Sequence, residues 1–147
     1  MKKKIALILV IVIALSCMSL TTLAVGRNHY DVYVSKATCK VHIYYNDQWI
    51  KVMTCDIGKP STPTPSGVFY TGNKGFSFGM DHGYLCKNAT QFSGNYLFHS
   101  VIYSADGKTI TDGRLGMAIS HGCIRLDNRD AKWLVDNLPR GTMVKIR

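Results

Sequence analysis

From Tyr30 onward the apolar residues fall on every second position, and that period dictates strand rather than helix. Val32 and Val34 alternate with their neighbours, Val41 and Ile43 do so again, and Ile50 and Val52 follow Asn46-Asp47. Two such runs around a turn dipeptide predict a β-hairpin. Pairing Val41 with Val52 and Ile43 with Ile50 puts all four aliphatic residues on one face. In that register Cys39 faces Thr54 rather than Cys55, so a Cys39–Cys55 disulfide requires a bulge or a slipped register.

Beyond the hairpin the alternation stops. Pro60, Pro63 and Pro65 stiffen a loop that Gly67 closes, and Val68-Phe69-Tyr70 opens another strand. Between residues 71 and 98, Gly72, Gly75, Gly79, Gly83 and Gly94 interrupt every period, which predicts loops and short strands. Asn95 to Tyr103 reads as a buried strand carrying His99, and Asp106-Gly107 as a turn. One helix is clear. Asp127 can cap it, Asp130 stands at its third position, and Ala131, Leu134, Val135 and Leu138 follow at i, i+3, i+4 and i+7. Pro139-Arg140-Gly141 ends it, and Thr142 to Ile146 forms a closing strand.

The reactive residues gather just before that helix, in Ser120-His121-Gly122-Cys123-Ile124-Arg125, with His99 24 residues upstream of the cysteine. A thiol needs a neighbouring base or cation to act as a nucleophile at neutral pH. A glycine before it lets the backbone turn sharply and lets a carbonyl approach. The backbone N–H groups of Gly122 and Cys123 are candidate donors to a developing oxyanion. Arg125 suits a substrate carboxylate in bidentate fashion, with a structural salt bridge as its alternative.

The stretch from His99 through Ser120-His121-Gly122-Cys123-Ile124-Arg125 resembles the signature of the L,D-transpeptidase catalytic domain (YkuD-like). That signature is a histidine, a variable spacer, then Ser/Thr-His-Gly-Cys, a hydrophobic residue and Asn or Arg. The spacer here, twenty residues between His99 and Ser120, is longer than usual. The loop from Gly58 through the Thr-Pro pairs to Gly67-Val68-Phe69 is similar to a second family stretch, and the likeness runs from about Val32 to Arg147. The resemblance implies a mainly β, β-sandwich-like fold with one or two helices, one of them following the catalytic cysteine. It implies Cys123 as nucleophile and His99 as base, oriented by the Ser100 carbonyl. His121 and Gly122 complete the catalytic group, and Ser120 and Arg125 are the candidate substrate-binding residues. Ser120 has local bonding within the turn as its alternative, and His121 a structural role. No cofactor and no metal are implied, and His29, His42 and His82 show no ligand spacing.

Residues 1–24 read as a secretory signal peptide, followed by a catalytic domain over 28–147. Lys2, Lys3 and Lys4 precede an apolar run from Ile5 to Leu15, and Thr22-Leu23-Ala24 supplies a small-residue exit. Two alternatives remain open: an uncleaved anchor over Ile5 to Val25, and a poor lipoprotein box ending at Cys17. Removing those three lysines from 18 basic residues leaves 15 against 9 acidic ones, a net charge of +6. With an export signal, that charge points to an anionic cell-wall polymer rather than nucleic acid, with solubility alone as the plain alternative. Cys39, Cys55 and Cys86 then remain, with one disulfide among them if the compartment is oxidising and three free thiols if it is reducing.

The expected activity is cross-linking of peptidoglycan stem peptides by a monomeric, exported enzyme at the outer face of the cytoplasmic membrane. The alternatives are an L,D-carboxypeptidase that uses water, and a wall-binding module without activity. A papain-like peptidase has cysteine before histidine, the reverse of the order here.

Overall fold

The computed structural model describes residues 28–147, so the signal or anchor segment over 1–24 lies outside the described residues. The chain runs β1 (Tyr30–Ser35), β2 (Lys40–Tyr45), β3 (Gln48–Gly58), β4 (Gly67–Tyr70), β5 (Lys74–Phe78) and a single 3-10 turn at Met80–His82. It continues through β6 (Tyr84–Ser93), β7 (Tyr96–Ser100), β8 (Ile102–Ser104), β9 (Ile110–Asp112), β10 (Ala118–Ser120) and β11 (Ile124–Leu126). Helix α1 (Asn128–Asn137) and β12 (Met143–Ile146) complete it. The fold is mainly β with one helix among the described residues. The strands follow one mixed hydrogen-bonded path, β4-β12-β1-β2-β3-β11-β7-β6-β8-β9, with β10 beside β3 and β5 beside β6.

The β2–β3 hairpin turns at Asn46 and Asp47, whose φ angles of 50° and 63° are the left-handed values that a tight two-residue turn requires. Its register differs from the one alternation predicts. Next to the turn Tyr44 pairs with Trp49, but a bulge after Ile43 shifts the rest, so that Val41 pairs with Met53 and Ile43 with Lys51. Val41, Ile43, Met53 and Cys55 are therefore buried, while Ile50 and Val52 are 46% and 43% exposed. The bulge inserts one residue, and one residue exchanges the two faces of a strand.

Helix α1 is capped as expected: the Asp127 carboxylate accepts the Arg129 N–H at 2.9 Å. Asp130 does not reach back to close a capping box; it pairs with Lys51 at 2.9 Å. Ala131, Leu134 and Leu138 bury the apolar stripe against a core that includes Phe98, Ile124, Leu126 and Val144. Each fully buried large side chain contributes about 1.5–3 kcal/mol by leaving water. Lys74 reaches over to the helix C-terminus, its ammonium donating to the Val135 carbonyl at 2.7 Å and the Leu138 carbonyl at 2.5 Å. A cation there offsets the partial negative charge of the free carbonyls.

The region that looked irregular holds a ten-residue strand, β6. Its pairing with β5 is twice interrupted by bulges, so the side chains lose the simple period that marks a strand in sequence. The expected strand over Asn95 to Tyr103 is broken at Val101. There the N–H turns away to the Leu126 carbonyl at 2.7 Å, separating β7 from β8.

Candidate active site

β7 and β11 lie side by side in parallel, with Phe98 opposite Ile124 and His99 opposite Arg125. The core residues Phe98 and Ile124 point inward. His99 and Arg125 alternate to the other face, and Cys123, two residues before Arg125, precedes β11 on that same side. His99, Cys123 and Arg125 line one cavity of about 500 Å³, together with Phe78, Cys86 and Asp112.

The His99 ring has a defined tautomer. Its Nδ1 lies 2.7 Å from the Ser100 carbonyl, which only accepts, so Nδ1 carries the proton and Nε2 keeps its lone pair. Phe78 meets the imidazole edge-on, ring centres 5.2 Å apart. Burial pushes the imidazole down to about 4, against the opposing pull of the Ser100 carbonyl. His99 is therefore neutral at pH 7 and available as a base. Burial likewise raises the Cys123 thiol, only partly offset by the Leu97 N–H and the Arg125 charge. The resting pair is neutral thiol and neutral imidazole, rather than a preformed thiolate.

The turn that carries Cys123 is held from within. Ser120 Oγ accepts the Gly122 N–H at 3.0 Å and donates to the Cys123 carbonyl at 2.6 Å. This corrects two expectations. The Ser120 hydroxyl is committed to the turn rather than to substrate, and the Gly122 N–H is already bonded, which leaves the Cys123 N–H as the candidate oxyanion donor. Gly122 matters for its shape instead. Its φ is +111°, and a Cβ there would sit 2.5 Å from the Tyr96 ring.

Arg125 does not present a free fork to the cavity. Its Nη1 donates to Asp112 at 2.9 Å and lies 3.4 Å from Asp56. One arm of the expected carboxylate clamp is thus engaged by the chain's own carboxylates, the salt-bridge alternative of the sequence reading, while the buried Nε has no hydrogen-bond partner. The Arg114 guanidinium, hydrogen-bonded to Asp112, is the main cause that holds its carboxyl well below the usual range, and Arg125 adds to it. His121 is exposed at the rim, where its Nε2 accepts from the Lys59 ammonium at 3.4 Å.

Sequence reasoning missed Thr64. It is 1% exposed. Its hydroxyl accepts the Gly58 N–H at 2.8 Å and donates to the Gly122 carbonyl at 2.9 Å. Lys59 N–H and Thr62 Oγ1 both donate to the Ser120 carbonyl, at 3.0 and 3.2 Å. The proline-rich loop is a clasp on the catalytic turn. Its only trace in the sequence was the Thr-Pro-Thr-Pro run, which reads as stiffness rather than as a hydrogen-bonding surface. The fold also gathers His29, Asp31 and Asp47, whose ligand atoms lie within 4.8 Å of one another, a grouping that spacing along the chain did not reveal.

With this geometry in place, residues 29–146 match the family described as the L,D-transpeptidase catalytic domain (YkuD). The chain belongs to that family. YciB of Bacillus subtilis strain 168, provisionally named an L,D-transpeptidase, is 35% identical over 131 residues, 83% of this chain and 68% of YciB. Among solved structures, a fused Zn-dependent amidase/peptidase/peptidoglycan-binding domain-containing protein from Clostridium acetobutylicum superposes with a TM-score of 0.66 at 37% identity. That match covers 80% of this chain and 51% of the other. The L,D-transpeptidase LdtMt1, solved in complex with imipenem, superposes with a TM-score of 0.64 at 22% identity, over 80% of this chain and 58% of its own. The chain thus spans about half the length of these two solved relatives.

Proposed function

We propose that the chain is a peptidoglycan L,D-transpeptidase with Cys123 as nucleophile and His99 as general base. The observation that carries this reading is the His99 tautomer. The proton on Nδ1 is spent on the Ser100 carbonyl, so the lone pair of Nε2 belongs to the cavity that Cys123 lines. As sulfur attacks the L-centre carbonyl of the third residue of a stem peptide, the thiol proton passes to Nε2. The Cys123 N–H faces the developing oxyanion. The imidazolium then gives that proton to the departing D-alanine amine, and a thioester remains. An amine of a second stem attacks the thioester, loses its proton to His99, and the thiol is regenerated. Starting from a neutral pair, the proton moves as the carbon–sulfur bond forms, so positive charge on His99 and negative charge on the oxyanion develop together, where the Cys123 N–H can stabilise the latter. Thiol acyl transfer needs no cofactor.

The protein acts outside the cytoplasmic membrane, as a monomer, with its basic surface toward anionic wall polymer. The support is the N-terminal segment and, beyond its three lysines, the excess of 15 basic over 9 acidic residues. The test is mass spectrometry after incubation with purified muropeptide tetrapeptide. A cross-linked dimer with release of D-alanine is the expected product. Tripeptide monomer alone means that water is the acceptor and the enzyme is a carboxypeptidase. Unchanged tetrapeptide overturns the catalytic reading.

A further inference from the structure

Three of the four cysteines among the described residues have no part in that chemistry, and two of them are brought together by the bulge in the hairpin. Past the bulge the β2–β3 ladder pairs Val41 with Met53 and Lys40 with Thr54. The next rung is Cys39 opposite Cys55, and the Cys55 N–H donates to the Cys39 carbonyl at 2.9 Å. Val41 and Met53 are both buried on the core face. Cys39 closes the turn before β2, with a φ of 50° and its thiol 3.8 Å from the Lys36 carbonyl, and it stands close enough to Cys55 for its charge to raise that buried thiol. Cys55 belongs to the core and Cys39 packs against it. The hydrogen bond from the Cys55 N–H to the Cys39 carbonyl keeps the two backbones about one strand spacing apart, within reach of a disulfide. The unshifted register of the turn end would have set Cys39 against Thr54.

We propose that Cys39 and Cys55 form a structural disulfide once the protein reaches an oxidising compartment. The step is two thiol–disulfide exchanges with a small-molecule disulfide such as oxidised glutathione. Cys39, the more accessible thiol, gives up its proton and attacks, releasing one glutathione thiolate and leaving a mixed disulfide. Cys55 gives up its proton and attacks the Cys39 sulfur, releasing the second glutathione. Two protein thiols are oxidised to one disulfide, and one glutathione disulfide is reduced to two thiols. Burial raises both thiols, Cys55 to about 12, so the exchange is fastest while the hairpin is still forming. The bond would pin the strand that serves the active site. The Cys55 carbonyl accepts the Gly116 N–H at 3.1 Å, and the adjoining Asp56 carboxylate accepts the Met117 N–H at 3.0 Å and meets Arg125.

The test uses the purified full chain, equilibrated with oxidised and reduced glutathione, quenched in acid, alkylated and mapped by mass spectrometry. The expected result is a cross-linked Cys39–Cys55 peptide, with Cys86 and Cys123 alkylated. Reduction should lower Tm by roughly 5–10 °C. In Cys39→Ala and Cys55→Ala that dependence on reductant should vanish. Cys39→Ala, at the half-exposed position, reports even if the buried variant fails to fold. Alkylation of both thiols under oxidised glutathione overturns the proposal. So does a disulfide involving Cys17, Cys86 or Cys123, or a reductant-dependent Tm that persists in Cys39→Ala.

Discussion

Two walls hold the catalytic turn, and they hold it by different forces. On one side the proline-rich loop grips it through neutral hydrogen bonds from Lys59, Thr62 and Thr64 to the Ser120 and Gly122 carbonyls. On the other, the turn's Arg125 is gripped by charge, between the buried Asp56 and the partly exposed Asp112. The neutral clasp is buried and indifferent to pH and salt. The charged one depends on desolvated groups: burial raises the Asp56 carboxyl, opposed by the Met117 N–H and Arg125. An acyl-transfer site that must stay dry around a neutral thiol and imidazole gains from having its position set by the first kind of contact.

The largest effects come from the reacting pair that both walls position. Cys123→Ala should abolish muropeptide turnover and acylation by a carbapenem, while Tm stays near that of the parent. Surviving turnover would remove the nucleophile assignment. His99→Ala should slow acylation by roughly 10²–10⁴-fold, whereas His121→Ala, at the exposed rim beside Lys59, should cost less. Rates followed by intact mass decide between them, and a larger loss in His121→Ala would exchange the roles. Because the thiol is raised, alkylation of Cys123 by iodoacetamide should keep rising through pH 9 rather than level off below pH 7.

Stability against pH separates the buried imidazole from the charged wall. The folded value of His99, about 4, lies below its ordinary 6.5, so the unfolded chain binds the extra proton between those limits. Stability should therefore fall as pH drops from 6.5 to about 4, by on the order of 3 kcal/mol. Urea titrations across that window should show the slope in the parent and lose it in His99→Gln. An unchanged slope would place the titration elsewhere.

The walls themselves come next. Thr64→Val keeps the volume but strands the Gly58 N–H and the Gly122 carbonyl, at a cost of about 1–3 kcal/mol. It should also slow acylation, because the turn that aims Cys123 loses its clasp. Asp112→Asn keeps an acceptor for the buried Arg125 guanidinium and leaves Asp56 as its counter-charge, and should cost about 1 kcal/mol. If Asp112→Asn proves the more damaging of the two, the charged wall is the principal brace.

What could be read from the chain follows from range. The hairpin turn at Asn46-Asp47, the cap at Asp127 and the stripe of Ala131, Leu134 and Leu138 depend on residues a few positions apart, and local spacing carries them. Cys123 and His99 stood out as candidates because Ser120 to Arg125 is one short stretch and His99 falls on a strand, and the fold sets both on one cavity. The register of β2 and β3 was not legible. A single bulge after Ile43 buries Met53 and Cys55 in place of Ile50 and Val52, and alternation has no term for an inserted residue. Nor was the fate of Arg125: its partners lie 13 and 69 positions away, Asp56 brought opposite it by the pairing of β11 with β3 and Asp112 by the end of β9.

By itself, then, the sequence determined the hairpin turn, the helix and its cap, and which residues are candidates for the chemistry, because propensity, capping and the Ser120–Arg125 motif act over a few residues. The tertiary structure decided where hydrogen bonds and charges are spent. It gave the Gly122 N–H to Ser120, the Arg125 Nη1 to Asp112 with Asp56 close by, and the Gly122 carbonyl to Thr64. Each of those groups had several possible partners along the chain, and burial leaves no polar group without one at small cost.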